Sequence, residues 1–273
     1  MSTTNMKSAL DVNGLFIPHL HLFKALRQYV SPVYFSNDEV EAAPRFAAIG
    51  SSINLHYRSR FFQVTCRHVA EDQTRDYFSI GQNYYDPALG WRFQSTKRIY
   101  GKGDTPRKVD TPGEDMLIAE FEELPEAAKR NFLKIEDNFF MDEGNQRQVR
   151  TVECFIVGFP SQSVMPEWGE VSDDKLELLS WKLAPAFKGD AFYRDRDGFD
   201  DDQLIPMELP DGFGEIDPNG LSGCPCFHVY VLNDGRFRFG LNGIVVAANR
   251  ELGKIGLLPA RALRLRFEDL FAK

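Results

Sequence analysis

Three residues of this chain have side chains that can together catalyse acyl transfer. His68 follows an apolar run that ends at Thr65, Asp115 opens the stretch DMLIAEFE, and Ser222 lies in NGLSGCPCF. A serine hydroxyl becomes a nucleophile when an imidazole takes its proton and a carboxylate holds that imidazole in the correct tautomer. These residue types predict Ser222 as the nucleophile, His68 as the general base and Asp115 as the residue that orients the histidine.

The glycines around Ser222 suit a turn that binds a developing negative charge. Gly220 and Gly223 flank the serine, and glycine permits strained backbone angles and the close approach of a substrate carbonyl. In such a turn the amide N–H groups of Gly220 and Ser222 can point into one concavity. We therefore expect these two amides to form an oxyanion hole from the main chain alone.

Several short motifs resemble those of the trypsin-like serine peptidases and occur in the same order. VTCRHV resembles the T-A-x-H-V stretch around their histidine, DMLIAEFE their D-[LI]-A-[VL]-L-x strand, and GLSGCP their G-[DN]-S-G-[GS]-P signature. GSSINL (50–55) is similar to the strand that precedes their histidine. The resemblance implies a serine endopeptidase that hydrolyses protein or peptide substrates through an acyl-enzyme, with neither a cofactor nor a metal.

The same resemblance suggests residues that would line a substrate pocket. LNGIVVAANR (241–250) is similar to the strand along the specificity pocket, which assigns Val246, Ala247 and Ala248 to its wall. Ile216, six residues before the nucleophile, falls at the pocket base. These uncharged side chains favour a small or medium apolar residue at the cleavage site.

Three positions depart from the pattern of the secreted digestive members. Leu221 stands where those enzymes carry an aspartate that pairs with a freshly cut N-terminus, which argues against activation by N-terminal cleavage. CFIVGFP (154–160) is similar to a strand of the cytoplasmic and heat-shock members, which the chain resembles more closely. Arg67 and Cys224 are larger than the usual residues at their positions, and either could narrow the site.

Short apolar runs bounded by turn residues predict an all-β fold from residue 45 onward. The resemblance implies two antiparallel six-stranded β-barrels of trypsin-like type, at roughly 45–135 and 145–258, with the active site in the cleft between them. A C-terminal helix over 259–271 completes a peptidase domain of residues 45–273. Residues 1–44 are predicted to form an N-terminal extension with one helix between Ser8 and Val30, and residues 124–139 a linker with a helical turn or two.

Composition limits the partners and the compartment. The chain has 32 Lys and Arg against 40 Asp and Glu, a net charge of −8 that disfavours nucleic acid as a partner. No apolar stretch reaches the roughly 20 residues of a membrane span, and no clean secretory signal opens the chain. Cys224 and Cys226 are too close in sequence to bridge easily, and Cys66 and Cys154 are isolated. We expect a cytoplasmic protein with free thiols and no membrane contact.

Two patterns could bind metal ions but favour simpler interpretations. The stretch RDRDGFDDDQ (194–203) lacks the glycine position and closing glutamate of an EF-hand loop, so a solvated acidic loop is favoured over a calcium site. Cys224-x-Cys226-x-His228 has tighter spacing than structural zinc sites and no fourth ligand, which favours ordinary strand packing.

Rival functional interpretations differ in how they treat Ser222. Cysteine enzymes of this fold carry cysteine at the serine position itself, which disfavours Cys224 as the nucleophile. The GxSxG elbow of α/β-hydrolases needs glycine at 224 and a following helix, whereas a strand is predicted there. Two alternatives stay open: a catalytically inert trypsin-fold scaffold that binds a partner, and a peptidase gated by a regulatory protein that docks on the N-terminal segment.

Overall fold

The computed structural model describes residues 9–36, 46–70, 77–79, 81–100, 115–141, 150–160, 164–167, 180–183, 187–190, 192–193, 204–209 and 218–272. The described strands are β1 (Ala9–Val12), β2 (Leu15–Pro18), β3 (Val30–Ser36), β4 (Phe46–Tyr57), β5 (Arg60–Thr65), β6 (Tyr77–Ser79), β7 (Gly81–Asp86), β8 (Gly90–Ser95), β9 (Arg98–Tyr100), β10 (Leu117–Phe121), β11 (Leu133–Ile135), β12 (Arg150–Gly158), β13 (Val164–Glu167), β14 (Ser180–Leu183), β15 (Phe187–Asp190), β16 (Phe192–Tyr193), β17 (Ile205–Glu208), β18 (Pro225–Val231), β19 (Phe237–Asn249) and β20 (Lys254–Pro259). The described α-helices are α1 (Leu22–Leu26), α2 (Arg67–Ala70), α3 (Glu126–Lys129) and α4 (Ala260–Ala272).

The first large sheet brings together the chain segments that carry His68 and Asp115. Its strand order is β6-β3-β4-β5-β10-β9, and β11 pairs in parallel with the end of β4. β5 and β10 are antiparallel, with Thr65 opposite Leu117. Because of this register, the chain leaving β5 runs beside the chain entering β10. Two segments 47 residues apart in the sequence therefore meet at one edge of the sheet.

The second large sheet carries Ser222 at the start of a central strand. Its order is β15-β12-β18-β19-β20-β17-β16, and every one of these pairings is antiparallel. The turn that contains Ser222 leads directly into β18. Two main-chain hydrogen bonds join this turn to β19, from Gly223 N to Val245 O at 2.8 Å and from Val245 N to Cys224 O at 2.9 Å. Ser222 is thus anchored on the middle of its sheet.

The predicted fold class is confirmed at the level of a mostly antiparallel β protein that ends in a helix. Each large sheet has seven described strands, whereas the resemblance implies six-stranded barrels. Among the described strands, none joins β6 to β9 or β15 to β16, so each sheet is open over that part of the chain. Smaller two-stranded sheets are formed by β1 with β2, β7 with β8 and β13 with β14. Closure of the large sheets into barrels stays a prediction.

The predicted helix between Ser8 and Val30 is wrong over most of its length. The segment forms the β1–β2 hairpin, and helical structure is limited to α1 and its flanking 3₁₀ turns. Asn13 and Gly14 make the hairpin turn with φ of 52° and 83°, as a two-residue turn of type I′ requires. The Asn-Gly pair between apolar residues is a strong hairpin signal, and it outweighs the helical spacing of the residues that follow.

Residues upstream of 45 also contribute to the first large sheet. β3 pairs with β4 from Val30 opposite Ile53 to Ser36 opposite Phe46. The sheet therefore begins before the predicted start of the first barrel. In the predicted linker 124–139, the helical turn is confirmed as α3, and the short strand β11 is an addition to the prediction.

The terminal helix α4 closes the core of the first sheet. Phe267 is fully buried, and its ring centroid lies 5.2 Å from that of Tyr57, 4.9 Å from Phe62 and 5.9 Å from Phe140. Burial of one such side chain contributes about 1.5–3 kcal/mol. The helix starts at Ala260, one residue beyond the predicted start. It thereby braces the strands that lead to the site.

Candidate active site

His68 lies where the chain leaves β5 and enters the short helix α2. It follows the last residue of β5, Thr65, by three positions. Its side chain is 42% exposed, which leaves the ring accessible from solvent. The backbone N–H of His68 donates to Oδ1 of Asp115 at 2.9 Å. The backbone of the histidine is therefore fixed by the same carboxylate that contacts its ring.

Asp115 is the buried partner of His68. It lies two residues before β10, and its side chain is 8% exposed. Its Oδ2 lies 2.6 Å from Nδ1 of the histidine. Since an ionised carboxylate only accepts hydrogen bonds, the network assigns the proton of the neutral ring to Nδ1 and a lone pair to Nε2. This is the tautomer that a general base requires.

Ser222 faces the other side of the imidazole ring. Its Oγ lies 2.9 Å from Nε2 of His68, which is within the range for direct proton transfer. In the assigned tautomer the hydroxyl donates to Nε2. The structure thus brings together all three residues of the predicted triad, although Ser222 follows His68 by 154 positions.

The turn that carries Ser222 depends on two glycines in left-handed backbone conformations. Gly220 has a φ of 90° and Gly223 a φ of 88°, a region that favours glycine. A Cβ atom on Gly223 would also lie 1.9 Å from the carbonyl oxygen of Ser51. Gly223 therefore serves a close approach between the two large sheets as well as the turn itself.

The main-chain N–H groups of Gly220 and Ser222 are the predicted oxyanion donors. Within the described part of the chain, neither N–H has a hydrogen-bond acceptor. The carbonyl groups of both residues, in contrast, are engaged: each accepts a hydrogen bond from Ser51 at 2.8 Å. An oxyanion hole needs donors that are held in place and not already used. Both N–H groups are thus free to donate within the described chain, and their role as oxyanion donors stays a prediction.

Val245 links the two halves of the site through one carbonyl oxygen. This oxygen accepts hydrogen bonds from Gly223 N at 2.8 Å and from Sγ of Cys66 at 3.0 Å. Cys66 lies two residues before His68, so a single atom of β19 contacts both the histidine segment and the serine turn. Sequence analysis missed this role because Cys66 and Val245 are 179 positions apart.

Two buried thiols lie near the triad. Burial raises the pKa of the Cys66 thiol well above its ordinary value, and the negative charge of Asp115 raises it further. Burial also raises the pKa of Cys224 to about 12. Both side chains are fully buried, so both thiols stay protonated at neutral pH. A protonated, inaccessible thiol does not compete with Ser222 as a nucleophile.

The two bulky residues near the triad are both buried. Arg67 is 6% exposed and Cys224 is fully buried. The Sγ of Cys224 lies 1.8 Å from the position that a Cβ atom on Gly158 would take. Cys224 therefore fills space against β12, inside the second sheet. Narrowing of the site by Arg67 stays a prediction.

The predicted pocket residues lie partly within the described chain. Val246, Ala247 and Ala248 are on β19, where the first two are half-buried and Ala248 is exposed. A β-bulge interrupts the pairing of β19 with β20 between Val245 and Ala247. Ile216 lies outside the described residues, so formation of the pocket itself stays a prediction.

A cavity of about 470 Å³ lies elsewhere on the molecule. It is lined by residues of the β1–β2 hairpin, the 134–139 segment and the β18–β19 hairpin, among them Asn13, Lys134, Tyr230 and Arg238. None of its lining residues belongs to the triad or to the predicted pocket. Its charged groups are of both signs, and no chemistry is assigned to it.

One group of described residues has the side chains of a metal site. The ligand atoms of Cys66, His68 and Asp115 all lie within 4.8 Å of one another. However, Nδ1 of His68 and Oδ2 of Asp115 are hydrogen-bonded at 2.6 Å, and the Cys66 thiol donates a hydrogen bond to the carbonyl oxygen of Val245. A metal ion here would have to replace both contacts.

The residues of the Cys224-x-Cys226-x-His228 pattern are buried, as expected for ordinary strand packing. Cys226 and His228 are buried on β18, Cys224 is buried in the preceding turn, and the ring of His228 bonds the hydroxyl of Thr151 at 2.9 Å. Burial lowers the pKa of His228 to about 4. All four cysteines of the chain are free and buried. The acidic stretch 194–203 lies outside the described residues.

Comparisons with protein-family descriptions and with curated proteins find no match to this chain. Among the described helices, none is both long and apolar enough to cross a membrane.

Proposed function

We propose that this chain is a serine endopeptidase that hydrolyses peptide bonds through Ser222, His68 and Asp115. The observation that carries the proposal is the continuous pair of hydrogen bonds from Asp115 Oδ2 to His68 Nδ1 at 2.6 Å and from His68 Nε2 to Ser222 Oγ at 2.9 Å. Each atom in these two hydrogen bonds has the donor or acceptor role that acyl transfer requires.

The first half of the reaction forms an acyl-enzyme. Nε2 of His68 takes the Ser222 proton as Oγ forms a bond to the scissile carbonyl carbon. Asp115 stabilises the resulting imidazolium, and the amides of Gly220 and Ser222 bind the oxyanion. The carbon–nitrogen bond then breaks as Nε2 gives the proton to the leaving amine.

The second half of the reaction releases the acyl group. Nε2 of His68 takes a proton from water, and the water oxygen attacks the ester carbon at Ser222. Collapse of this second tetrahedral intermediate breaks the bond to Oγ, and the proton on Nε2 returns to the serine. The free enzyme is restored with no net change in its protonation.

We also propose the two-barrel arrangement of the trypsin-like peptidases for the fold. The order of elements supports it, since the histidine and aspartate adjoin strands of the first large sheet and the serine precedes a strand of the second. Assignment of Ile216, Val246, Ala247 and Ala248 to the specificity pocket rests on the same resemblance. This pocket would make the enzyme prefer substrates with a small or medium-sized apolar residue on the acyl side of the scissile bond.

Hydrolysis of an unstructured protein and of a peptide library tests the proposal. The wild-type chain is expected to cut amide bonds at sites that mass spectrometry identifies, and Ser222→Ala is expected to cut none. A matched control is Ser59→Gly, because Ser59 is an exposed turn residue with a φ of 67° that glycine also adopts. Cleavage by Ser222→Ala would contradict the proposal. A folded wild type that cuts no substrate would favour the alternative of a catalytically inert binding scaffold.

A further inference from the structure

Ser51 on β4 is a buried serine whose main chain and side chain both contact the Ser222 turn. It has no exposed surface. Its N–H donates to the carbonyl oxygen of Ser222, and its hydroxyl donates to the carbonyl oxygen of Gly220, each at 2.8 Å. One residue of the first sheet therefore holds both ends of the three-residue segment 220–222.

The hydroxyl of Ser51 also contacts the second sheet. It accepts a hydrogen bond from the N–H of Phe159, the residue after β12, at 2.9 Å. A hydroxyl has one proton and two lone pairs, so it can make both bonds at once. The carbonyl of Ser51 accepts from Oγ1 of Thr65 at 2.7 Å. Ser51 is thus fixed by β5 and in turn fixes two segments of the second sheet.

The conformation of Gly220 needs such an external restraint. Glycine has little intrinsic preference between its backbone conformations, and this one has a φ of 90°. A bond to its carbonyl oxygen fixes the peptide plane on one side of its Cα. The N–H of Gly220 belongs to the peptide on the other side of this Cα, so the fixed carbonyl gives its direction a reference from which only rotation about φ and ψ can depart. Catalysis by main-chain donors depends on their orientation before the charge develops.

We propose that Ser51 is a positioning residue. Its hydroxyl holds the Gly220–Ser222 segment in the backbone conformation that binds the oxyanion. The proposal rests on the peptidase function proposed above. Ser51 touches neither the substrate nor the reacting atoms, and it acts through the Gly220 carbonyl and the Phe159 amide. Sequence similarity assigned this residue only to a strand.

The variant Ser51→Ala tests the proposal, since it removes the hydroxyl and keeps both main-chain bonds of residue 51. We expect kcat to fall about 10-fold to 100-fold while KM stays within about twofold, because the lost restraint matters most in the transition state. Affinity for a peptide boronic acid, which forms a tetrahedral adduct, should fall by a similar factor. Affinity for a cleaved peptide product should not change.

The neighbouring Ser52 provides a matched control. It is also fully buried, but its hydroxyl donates to Ser31 O and accepts from Gln63 within the first sheet. Ser52→Ala is expected to lower stability without the loss in kcat. Ser51→Thr keeps the hydroxyl and should recover most of kcat. Ser51→Cys keeps the side-chain volume with a weaker donor, so it carries the test if the alanine variant does not fold.

The outcomes separate this proposal from the proposed function. An active wild type with equal kcat values for Ser51→Ala and Ser52→Ala would overturn the role of Ser51 and leave the peptidase intact. A change in KM alone would also overturn it. A wild type that neither cuts peptides nor binds the boronic acid would overturn both. Parallel loss of kcat and boronic acid affinity, restored in Ser51→Thr, is the supporting result.

Discussion

Nε2 of His68 lies 2.9 Å from Oγ of Ser222, and the two residues adjoin strands of different sheets. The histidine follows β5 of the first sheet, while the serine precedes β18 of the second. Proton transfer between them therefore depends on how the two sheets pack. Ser51 and Val245 contribute further direct hydrogen bonds across this junction, so the packing of the two sheets supports the geometry of the triad.

Exchange of Asp115 for asparagine tests the role of the carboxylate. In Asp115→Asn the amide oxygen can still accept from the backbone of His68, but the ring loses its charged partner and the correct tautomer. We expect kcat to fall about 10⁴-fold with little change in folding. The measurement is steady-state hydrolysis of a peptide substrate. Asp234→Asn, at an exposed hairpin, is the control, and an equal kcat in the two variants would contradict the assignment.

Gly158 and Cys224 should behave as a coupled pair. A Cβ in Gly158→Ala would meet Sγ of Cys224 at 1.8 Å, and this overlap must displace the turn that follows Ser222. We expect a loss of about 1–3 kcal/mol in the free energy of unfolding together with reduced activity. A Gly158→Ala, Cys224→Ala double variant lacks this sulfur, so it should recover much of the lost stability and much of the lost activity.

Urea unfolding and peptide hydrolysis of the two single variants and the double variant measure this coupling. Residues in contact give non-additive changes in stability. If the effects of Gly158→Ala and Cys224→Ala simply add, the two side chains do not compete for the same space, and the packing described for this turn is incorrect.

His228 should make the protein less stable in mild acid. Burial lowers its pKa from 6.5 to about 4, so between these values the unfolded chain binds more protons than the folded one. Its stabilising contribution is complete above pH 6.5 and is lost as the pH falls toward 4. From pH 7 to pH 5 this amounts to about 2 kcal/mol in the free energy of unfolding.

The contribution of His228 can be separated from that of the carboxyl groups with His228→Gln. The amide can still bond the hydroxyl of Thr151, but it does not titrate. Urea unfolding at pH 7 and pH 5 should show a larger loss for wild type than for the variant. Equal losses in the two proteins would mean that His228 is protonated as easily in the folded state as in the unfolded one.

Chelators should leave peptide hydrolysis unchanged. The contact of 2.6 Å between His68 and Asp115 is a hydrogen bond and leaves no room for an ion between the two ligand atoms. Prolonged treatment with EDTA or phenanthroline, followed by an activity assay, measures this. Loss of activity that added zinc restores would instead indicate a metal held by Cys66, His68 and Asp115.

Local patterns in the sequence account for much of the site. A strand that ends shortly before His68, a strand that begins after Asp115 and a glycine-flanked serine are all short-range features, and the structure has each of them. Their convergence follows from the pairing of β5 with β10 and from the approach of the second sheet. The terminal helix is also predictable, because its apolar spacing is sustained over several turns.

Features that depend on distant contacts could not be predicted in the same way. Ser51 and Gly220 are 169 positions apart, and nothing near Ser51 indicates that its hydroxyl reaches the second sheet. The three-residue strand β11 pairs in parallel with β4, a contact that local propensity does not encode. The β1–β2 hairpin is different, since its Asn13–Gly14 turn is visible in the sequence and the prediction of a helix gave it too little weight.

Reaction with a fluorophosphonate tests the central claim most directly, because an activated serine displaces fluoride from the reagent and becomes phosphonylated, whereas an ordinary serine does not react. Wild-type protein should gain one adduct by intact mass, and tandem mass spectrometry of its peptides should locate that adduct on Ser222. Ser222→Ala should gain none, and His68→Ala should react far more slowly. An adduct on another residue, or equal labelling of wild type and Ser222→Ala, would contradict the account.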